Sequence, residues 1–458
     1  MTRQSLARVI IAGTNSGCGK TTVTCALLSA FKQTNTVVTS FKCGPDYIDP
    51  MFHGKVLGIS SSNLDPFFYD DNTLKALLCE NANGICVIEG VMGFYDGMTL
   101  ESTKASTYDV AKILNTPVIL TVNCKGTAYS VLPVIEGFLN HKKDYDLAGV
   151  ILNGISPMTY GKVKSLIEKH FENKIKVFGY LPKLPENLIL ESRHLGLVTA
   201  NEITDIRLKL DELGKIALKT LDINLIAQTA KETKALQYND LDIKPICENV
   251  NIAVAMDNAF CFYYKDNLKL IQKLGAKLCY FSPLKDEKLP ENIDGIYLGG
   301  GYPELYLNEL EKNVSMKNDI HKFLTQNKPC IAECGGFMYL TKEVEGKKMV
   351  GFFDYTCKNT GKLSRFGYQT LTALQNNLIC KKNEQVKAHE FHYYDCSDNG
   401  NQMTSTKPSG INWLSAHTSQ SLYAGFPHLS FYSNIQIPKN FIEKCKEFKH
   451  EQHETNGN

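Results

Sequence analysis

A glycine-rich segment near the start of the chain has the residue types and spacing of a phosphate-binding loop. It reads Gly-Thr-Asn-Ser-Gly-Cys-Gly-Lys-Thr-Thr from Gly13 to Thr22, between the apolar run Val9–Ala12 and a helical pattern. Backbone N–H groups in such a loop, and the N-terminus of the helix that follows, attract phosphate oxygens. Lys20 is expected to reach the β- and γ-phosphates of ATP, and Thr21 to offer its hydroxyl to Mg²⁺. The predicted ATP-binding residues of this segment are Thr14, Asn15, Gly17, Cys18, Gly19, Lys20, Thr21 and Thr22.

Acidic residues at the ends of two other predicted strands are candidates for metal binding. Glu89 directly follows the apolar run Ile85–Ile88. A carboxylate at the carboxyl end of a parallel strand lies on the same edge of the sheet as the phosphate loop. Mg²⁺ prefers oxygen ligands and keeps several waters, so one or two carboxylates suffice. The predicted metal ligands are Thr21, Glu89 and Asp46.

A proline-bracketed segment, Lys42–Pro50, and an asparagine after a later strand are candidates for binding the substrates. The predicted acceptor-side residues of the segment are Asp46, Tyr47 and Asp49. The two aspartates are also typical of turns, and that alternative stays open. Asn153 follows the run Ala148–Leu152, where a side-chain amide is expected to contact the adenine of ATP.

A cysteine on a glycine turn indicates a second, separate chemistry. The run Cys330–Ala332 leads into Glu-Cys-Gly-Gly, which places Cys334 between a predicted strand and a predicted helix. Such an elbow exposes the side chain near a helix N-terminus, which favours a nucleophilic thiolate. Three glycines after the run Gly295–Leu298 offer N–H groups to an oxyanion. The predicted oxyanion loop comprises Gly300, Gly301 and Gly335.

A thiol nucleophile needs a base, and two histidine segments compete for that role. His428 lies late in the chain in Phe-Pro-His-Leu-Ser, and His389 lies in His-Glu-Phe-His. The second segment is one residue short of the His-Glu-x-x-His zinc pattern, so no zinc site is predicted there. The catalytic pair predicted is Cys334 and His428.

Two alternations of short apolar runs and helix-length segments must position these residues. Short strands that are apolar throughout, separated by helices, are typical of parallel sheets covered on both faces. The first helix is predicted over Thr21–Phe31. The predicted strands are Val9–Ala12, Thr36–Phe41, Ile85–Ile88, Val118–Val122 and Ala148–Leu152, then Ile252–Ala255, Lys277–Phe281, Gly295–Leu298 and Cys330–Ala332.

This pattern predicts two α/β domains joined by a charged stretch. Residues 1–205 are expected to form the domain with the phosphate loop, and residues 251–440 the domain with the cysteine. Residues 206–250 are rich in helix-forming and polar residues and are expected to form a helical connector and linker. Residues 441–458 are predicted to be a frayed polar tail.

Length, charge and cysteine spacing limit the classes of partner. The 458 residues are enough for two or three domains. Lys and Arg number 50 against 48 Asp and Glu, a net charge of +2, which predicts neither nucleic acid nor membrane as a partner. No apolar run approaches the ~20 residues that span a bilayer. The 15 cysteines lack metal-site or disulfide-framework spacing, which predicts reduced thiols and a cytoplasmic location.

The two chemistries in combination resemble the cobyrinate a,c-diamide synthase family. The likeness extends from about Val9 to Ser433. The segments that carry it are Lys42–Pro50 on the acceptor side, and Gly299–Glu304, Ala332–Gly336 and His389–Tyr393 on the glutaminase side. Thr14 occupies the position of the first glycine in the strict phosphate-loop pattern, and in this the loop resembles dethiobiotin synthetase and MinD-like proteins.

The resemblance implies a P-loop NTPase-like (dethiobiotin synthetase/MinD-like) parallel-sheet domain and a class I glutamine amidotransferase α/β domain. Such enzymes hydrolyse L-glutamine at the cysteine and use the ammonia, ATP and Mg²⁺ to amidate the a and c carboxylates of a corrin ring through an acyl phosphate. The implied partner is therefore a tetrapyrrole polycarboxylate, and a homodimer is considered as the assembly. Ser430 stands where the family often has histidine, and no counterpart is evident for the glutamate that completes the triad in other class I glutaminases.

Three alternative functions remain at this stage. A close relative would carry out the same reaction on hydrogenobyrinate or nickel-sirohydrochlorin, and shared carboxylates would demand much the same site. Cobyric acid synthase, which amidates other positions, is disfavoured by the Lys42–Pro50 segment. A partitioning-type P-loop switch ATPase is a function of a different class. It would need neither the cysteine elbow nor the triple glycine.

Overall fold

The apolar runs predicted as strands all overlap strands of two parallel sheets. The computed structural model describes residues 1–190 and 200–456, with side chains described outside 200–204 and 451–456. The chain divides into two units, Met1–Leu241 and Asp242–Asn458.

Strands and helices alternate through the first unit. Its strands are β1 (Thr2–Gln4), β2 (Arg8–Gly13), β3 (Val38–Cys43), β4 (Ser61–Leu64), β5 (Ile85–Glu89), β6 (Val118–Asn123), β7 (Leu147–Asn153), β8 (Lys176–Leu181) and β9 (Leu236–Tyr238). Its helices are α1 (Lys20–Gln33), α2 (Ile48–Phe52), α3 (Asp71–Asn81), α4 (Thr107–Leu114), α5 (Val131–His141), α6 (Pro157–His170), α7 (Ala200–Thr220) and α8 (Ile223–Lys231). A π-helical turn, His53–Leu57, continues from α2.

The first unit is organised by one parallel sheet. Its strand order is β4-β3-β5-β2-β6-β7-β8, and every neighbouring pair is parallel. The carboxyl ends of parallel strands share one edge of a sheet. That edge carries the phosphate loop after β2, the Lys42–Pro50 segment at the end of β3, Glu89 at the end of β5 and Asn153 at the end of β7. The topology therefore gathers all the predicted ATP-side residues.

The stretch expected to be a connector packs into the first unit. Leu210 and Leu213 of α7 and Ile226 of α8 are fully buried in the core that also holds Val9 and Val87. Further along, β9 pairs antiparallel with β1. Apolar residues at helical spacing explain this packing, because they need a partner surface to bury against. The domain bounds drawn from the sequence stay a prediction.

The second unit contains two sheets. Its strands are β10 (Asn251–Ala255), β11 (Lys277–Phe281), β12 (Gly295–Leu298), β13 (Cys330–Glu333), β14 (Thr341–Val344), β15 (Lys347–Lys348), β16 (Phe353–Ala373), β17 (Gln385–Cys396), β18 (Met403–Thr406), β19 (Asn412–Ser415), β20 (His417–Thr418), β21 (Leu422–Gly425) and β22 (His428–Leu429). Its helices are α9 (Lys265–Lys273), α10 (Leu307–Lys312), α11 (Val314–Thr325), α12 (Gly335–Leu340) and α13 (Gln436–Asn456).

Four of the six strands of one sheet were predicted, and the other sheet was not. The first has the order β11-β10-β12-β13-β21-β20 and is parallel except for the pair β20–β21. The second runs β15-β14-β16-β17-β22, with β18 and β19 attached to β16, and is mostly antiparallel. Its long strand β16 carries many exposed polar residues, so it lacks the apolar run that identified the other strands. Cys334 follows β13 of the first sheet, whereas His428 begins β22 of the second.

Residues 441–456, in the segment predicted to be a polar tail, are helical as part of α13, and the bounds of that tail stay a prediction. One expectation about the cysteines is wrong. Cys357 and Cys396, which face each other on β16 and β17, form a disulfide, so the thiols are not all reduced. The prediction failed because a pairing of two distant strands brought these cysteines together.

Helices long and apolar enough to cross a membrane do not occur within 1–190 and 200–456.

Arg8 connects distant segments of the first unit by hydrogen bonds, and their contribution to stability can be measured. Its fully buried guanidinium donates to the carbonyl oxygens of Leu114 (2.9 Å), Asn115 (3.1 Å) and Lys234 (2.8 Å). Arg8→Met would remove these hydrogen bonds and leave the carbonyl oxygen of the buried Leu114 without its charged donor, so we expect a loss of about 3 kcal/mol of unfolding free energy. Urea unfolding followed by circular dichroism measures it, with the exposed Arg3→Met as the matched control. Equal urea midpoints for Arg8→Met and Arg3→Met would show that the hydrogen bonds of Arg8 do not stabilise the fold.

Candidate functional sites

The conformation of the phosphate loop is stabilised by hydrogen bonds from its own helix and from β7. It follows β2, and α1 begins at Lys20 directly after Gly19, whose φ is +100°. Asn153 Nδ2 donates to the Cys18 carbonyl oxygen at 2.9 Å, and Lys20 Nζ donates to that of Asn15 at 3.2 Å. A Cβ on Gly19 would lie 2.0 Å from Asn153 Nδ2. The loop therefore depends on the absence of a side chain at Gly19, and Asn153 supports the loop. Its predicted contact with adenine stays a prediction.

A buried lysine that the sequence analysis did not assign links the acids beside the loop. Lys42 Nζ lies 2.8 Å from Glu89 Oε1, 2.5 Å from Asp49 Oδ2 and 4.0 Å from Asp46 Oδ2. Lys42 and Glu89 face each other in register at the ends of β3 and β5. A lysine at the end of an otherwise uncharged strand was the available signal, because a charge there must be paired.

The charges of this cluster follow from its geometry. Burial alone would lower the pKa of Lys42, but Asp49, Glu89 and Asp46 raise it well above its usual value. Burial would raise the pKa of Asp49, yet Lys42 outweighs it and the pKa falls to about 2. For Asp46, burial and the neighbouring Asp49 carboxylate raise the pKa to about 7. Lys42 and Asp49 therefore form the charged pair, and Asp46 holds a proton more readily than Asp49 does.

The three predicted metal ligands are only partly brought together. Thr21 Oγ1 donates to Glu89 Oε1 at 2.6 Å. Asp46 instead approaches Lys42 and accepts a hydrogen bond from the Ile48 N–H at 2.8 Å, as an aspartate in a turn does. Glu89 Oε2 is buried and accepts no hydrogen bond from the described residues. This vacant acceptor beside a threonine hydroxyl fits Mg²⁺ with Thr21 and Glu89 as its protein contacts.

Two further observations describe the surroundings of Glu89. His53 Nδ1 lies 2.8 Å from Ser40 Oγ, and its Nε2 lies 3.7 Å from Glu89 Oε2. Burial lowers the pKa of His53 to about 4, so this imidazole is neutral at pH 7. In the described part of the chain, no three His, Cys, Asp or Glu side chains are grouped to hold a metal ion by themselves. A metal here would take its remaining ligands from phosphate and water.

The cysteine elbow in the second unit is built by close backbone approach. Cys334 has φ +48°, directly after β13, and its N–H donates to the Gly425 carbonyl oxygen at 2.7 Å. A Cβ on Gly335 would lie 3.2 Å from the Gly301 nitrogen, and one on Gly336 2.3 Å from the Leu298 carbonyl oxygen. The predicted oxyanion residues Gly301 and Gly335 are therefore adjacent, and only glycine lets the two turns meet.

The expected thiolate is not the resting form of Cys334. Burial, followed by the charges of Glu304 and Glu390, raises the pKa of the thiol far above its usual value. The helix that follows, α12, has only 6 residues and does not offset this burial. The prediction from the elbow failed because the site is enclosed. The thiol needs a base that removes its proton during the reaction.

Of the two histidine candidates, His428 lies at the glycine loop. A Cβ on Gly300 would lie 2.2 Å from His428 Cε1, so this ring packs on the loop that meets the elbow. His389 pairs with His428 across β17 and β22, but its ring packs against Phe366 and Tyr368 at centroid distances of 5.8 and 5.7 Å. Burial lowers the pKa of each histidine to about 3. Both are neutral at pH 7. The pairing of His428 with Cys334 stays a prediction.

A buried glutamate beside the nucleophile was also not assigned from the sequence. Glu333, the last residue of β13, is 2% exposed. Its Oε2 lies 3.8 Å from His428 Nδ1 and accepts from the Tyr297 hydroxyl at 3.0 Å, and its Oε1 accepts from the Leu429 N–H at 3.0 Å. The signal in the sequence was an acid that ends the apolar run Cys-Ile-Ala.

Comparisons with known proteins agree with this division of the chain. Residues 9–198 match the family described as CobQ/CobB/MinD/ParA nucleotide binding domain, and residues 251–435 match the CobB/CobQ-like glutamine amidotransferase domain. With the parallel sheets of the two units, these matches confirm the predicted fold class, a P-loop NTPase-like domain plus a glutamine amidotransferase domain.

Three full-length relatives carry the same name. A protein of Clostridium acetobutylicum named cobyrinate a,c-diamide synthase is 40% identical, over 95% of this chain and 99% of its own. One of Clostridium tetani with that name is 37% identical, over 95% and 99%. One of Caldanaerobacter subterraneus subsp. tengcongensis is 38% identical, over 96% and 98%.

Gly19 provides a test of the phosphate loop. In Gly19→Ala the new methyl group would collide with Asn153 and the residue would be strained at its positive φ. Strain of this kind costs 1–3 kcal/mol, so we expect the Kd for ATP to rise about tenfold or more. Isothermal titration calorimetry measures the Kd. The control is Gly161→Ala on α6, where no atom lies within 4 Å of the new Cβ. Unchanged ATP affinity in Gly19→Ala would exclude this loop as the nucleotide site.

Proposed function

We propose, because this chain belongs to the cobyrinate a,c-diamide synthase family, that it converts the a and c side-chain carboxylates of cobyrinate into amides with ATP and L-glutamine as co-substrates. The observation that carries the proposal is the likeness to three proteins of that name, at 37–40% identity over 95–96% of this chain. The chain is thus a glutamine-hydrolysing carbon–nitrogen ligase of cobalamin biosynthesis.

The first unit supplies the activated carboxylate. An acceptor carboxylate oxygen attacks the γ-phosphorus of ATP, the bond to the ADP oxygen breaks, and an acyl phosphate forms. Ammonia then attacks the acyl carbon, and phosphate leaves with the oxygen that it received. Little covalent chemistry falls to the protein in such a transfer, so positioning and charge stabilisation dominate. Lys20 is proposed to neutralise the γ-phosphate, and the loop N–H groups to hold the phosphates.

Mg²⁺ belongs to this proposal, with Thr21 and Glu89 as the residues that would hold it. When bound, the ion would neutralise charge on the phosphates of ATP. The support is the buried Glu89 Oε2 that accepts no hydrogen bond from the described residues, 3.7 Å from a neutral His53. Lys42 orients the carboxylate by binding its other oxygen at 2.8 Å.

The acceptor side is proposed to lie at the Lys42–Pro50 segment. Asn63 of β4 fixes the segment by donating to the carbonyl oxygens of Gly44 (2.9 Å) and Asp46 (2.6 Å). Two bare aspartates would repel a polycarboxylate, but the Lys42 ammonium balances Asp49. The proposed role of Asp46 and Asp49 is to orient incoming ammonia toward the acyl carbon, with Tyr47 at the same side.

The second unit supplies ammonia. Cys334 Sγ attacks the side-chain amide carbon of glutamine, and His428 takes the thiol proton and delivers it to the departing nitrogen. N–H groups of Gly300, Gly301 and Gly335 are proposed to stabilise the oxyanion. Water then hydrolyses the thioester, giving glutamate and the free thiol. A neutral thiol and a neutral imidazole at rest suit this sequence, because charge develops only when glutamine is bound.

The alternative functions have less support. The relatives are named for cobyrinate, so the same reaction on hydrogenobyrinate or nickel-sirohydrochlorin is not favoured. A partitioning-type switch would not need the amidotransferase domain that residues 251–435 match. A cytoplasmic location, where ATP and glutamine are available, and a homodimer complete the proposal, and light scattering of the purified protein tests the dimer.

Separate nitrogen donors test the proposed function. With cobyrinate, ATP, Mg²⁺ and glutamine, we expect mass spectrometry to show the conversion of two carboxylates into amides. Cys334→Ala should give no product with glutamine but should retain amidation with high free ammonia, because only hydrolysis of glutamine needs the thiol. Cys330→Ala, at a buried cysteine of β13 four residues before Cys334, is the control and should use both donors. Failure of ammonia to rescue folded Cys334→Ala would contradict the division into two sites.

Lys20 tests the phosphoryl half. Lys20→Ala removes a positive charge from the transferring phosphate, which should lower kcat about 10²- to 10³-fold with glutamine and ammonia alike. The matched control is Lys215→Ala on α7, whose side chain is 58% exposed. Steady-state release of phosphate measures both variants. Ammonia-dependent turnover in Lys20→Ala close to that of the unaltered chain would refute the assignment.

A further inference from the structure

The second unit contains a cysteine and a histidine that both lie at one glycine loop. An imidazole accepts a thiol proton at one ring nitrogen more effectively when the proton on its other nitrogen is held in place. The residue two positions after His428 is Ser430, which offers no carboxylate. A carboxylate that orients the ring would therefore come from elsewhere in the fold.

We propose that Glu333 is this positioning residue: its carboxylate accepts the Nδ1 proton of His428 and leaves Nε2 to receive the proton of Cys334. The proposal rests on the proposed hydrolysis of glutamine. The geometry that carries it is the approach of Glu333 Oε2 to His428 Nδ1, at 3.8 Å with both side chains 2% exposed. Catalytic hydrogen bonds are often long before substrate binds and shorten in the complex.

The side chain of Glu333 is held in place by residues of three different strands. It ends β13, it accepts from Tyr297 of β12, and it accepts from the Leu429 N–H of β22 at 3.0 Å. The last bond holds the residue next to His428, so one side chain aligns both the ring and the strand that carries it. Burial raises the pKa of Glu333 to about 8, and the two hydrogen bonds donated to it oppose that rise. The carboxylate form that the proposal needs therefore dominates above about pH 8.

The other charged or titratable groups around His428 have different partners. From β17, His392 stacks on Phe426 at a centroid distance of 3.9 Å, and Glu390 lies 3.4 Å from His392 Nε2. His389 is neutral and packs on aromatic rings. Tyr297 keeps its proton because burial raises its pKa well above 10. Glu333 Oε2 lies in ion-pair range of His428 Nδ1, at 3.8 Å.

The attack of Cys334 on glutamine moves one proton, and every group that this transfer needs is a side chain of the site or the substrate. The thiol proton moves to His428 Nε2 as Sγ bonds to the amide carbon, and the imidazolium that forms is stabilised by the Glu333 carboxylate. The same proton then passes to the departing nitrogen. Glu333 itself exchanges no proton and touches no substrate atom. Its effect is therefore on kcat, through the tautomer and charge of His428, and much less on KM.

The test compares Glu333→Gln with Glu333→Asp in steady-state glutamine hydrolysis from pH 6.5 to 9.5. Glu333→Gln keeps an acceptor for Leu429 but presents an amide donor to Nδ1. We expect kcat to fall about 10²- to 10⁴-fold at the alkaline end, where Glu333 of the unaltered chain is ionised, with KM changed less than about threefold. The deficit should narrow about tenfold or more toward pH 6.5, where Glu333 of the unaltered chain is protonated as well. Glu333→Asp keeps the charge and should recover at least about tenfold of the loss.

Controls separate a positioning role from a structural one. Asp294→Asn makes the same acid-to-amide change at another buried acid of the unit, where Oδ2 accepts from the Asn251 N–H at 2.8 Å. It should leave the pH profile unchanged. Thermal unfolding is recorded for each variant. A kcat for Glu333→Gln within threefold of the unaltered chain at pH 9.5 overturns the proposal. So does an equal loss at every pH, shared by Glu333→Asp and accompanied by a lowered Tm.

The outcomes also distinguish this inference from the proposed function. If the unaltered chain does not hydrolyse glutamine, the proposed function fails and the role of Glu333 fails with it. If the unaltered chain hydrolyses glutamine and the Glu333 variants match it, the assignment of Glu333 alone is wrong. Ammonia-dependent amidation by Glu333→Gln should persist, because the first unit does not use this residue.

Discussion

Burying a carboxylate at the end of a core strand is unfavourable unless positive or hydrogen-bonding groups surround it, and both candidate sites are organised by that constraint. Glu89 ends β5 with no exposed surface, and Lys42, Thr21 and His53 gather around it. Glu333 ends β13, and Tyr297, the Leu429 N–H and His428 gather around it. In each unit the need to stabilise one acid fixes the neighbouring side chains in defined positions, which is the preorganisation that catalysis uses.

A second constraint is the approach of backbone turns to one another. Gly19 lies against Asn153, Gly300 against the ring of His428, and Gly335 against the turn of Gly301. At each of these positions a methyl group would come within about 3 Å of a neighbouring atom, far inside ordinary contact distance. These glycines are therefore set by packing between segments that are distant in sequence. The same close contacts bring backbone N–H groups to the places where phosphate or oxyanion charge is expected.

The two sites hold charge differently at rest. Beside the phosphate loop, Lys42 and Asp49 form a charged pair, since their mutual attraction outweighs the cost of burial. At the cysteine site burial prevails, and it keeps both the thiol and the imidazole neutral. The first arrangement suits a ligand that carries charge from the start. The second suits glutamine, whose side-chain amide is neutral until the thiol attacks it.

The sequence by itself determined the fold class, nine of the thirteen strands of the two parallel sheets and the segments that carry the phosphate loop and the cysteine, because apolar runs and glycine turns are local patterns. It did not reveal the antiparallel sheet with β16 and β17, whose strands are largely polar, or the disulfide between Cys357 and Cys396. It named Lys42 and Glu333 only as members of motifs. Their partners lie on other strands, and only the tertiary structure decided which charges would meet, because buried charges are paired through space and not along the chain.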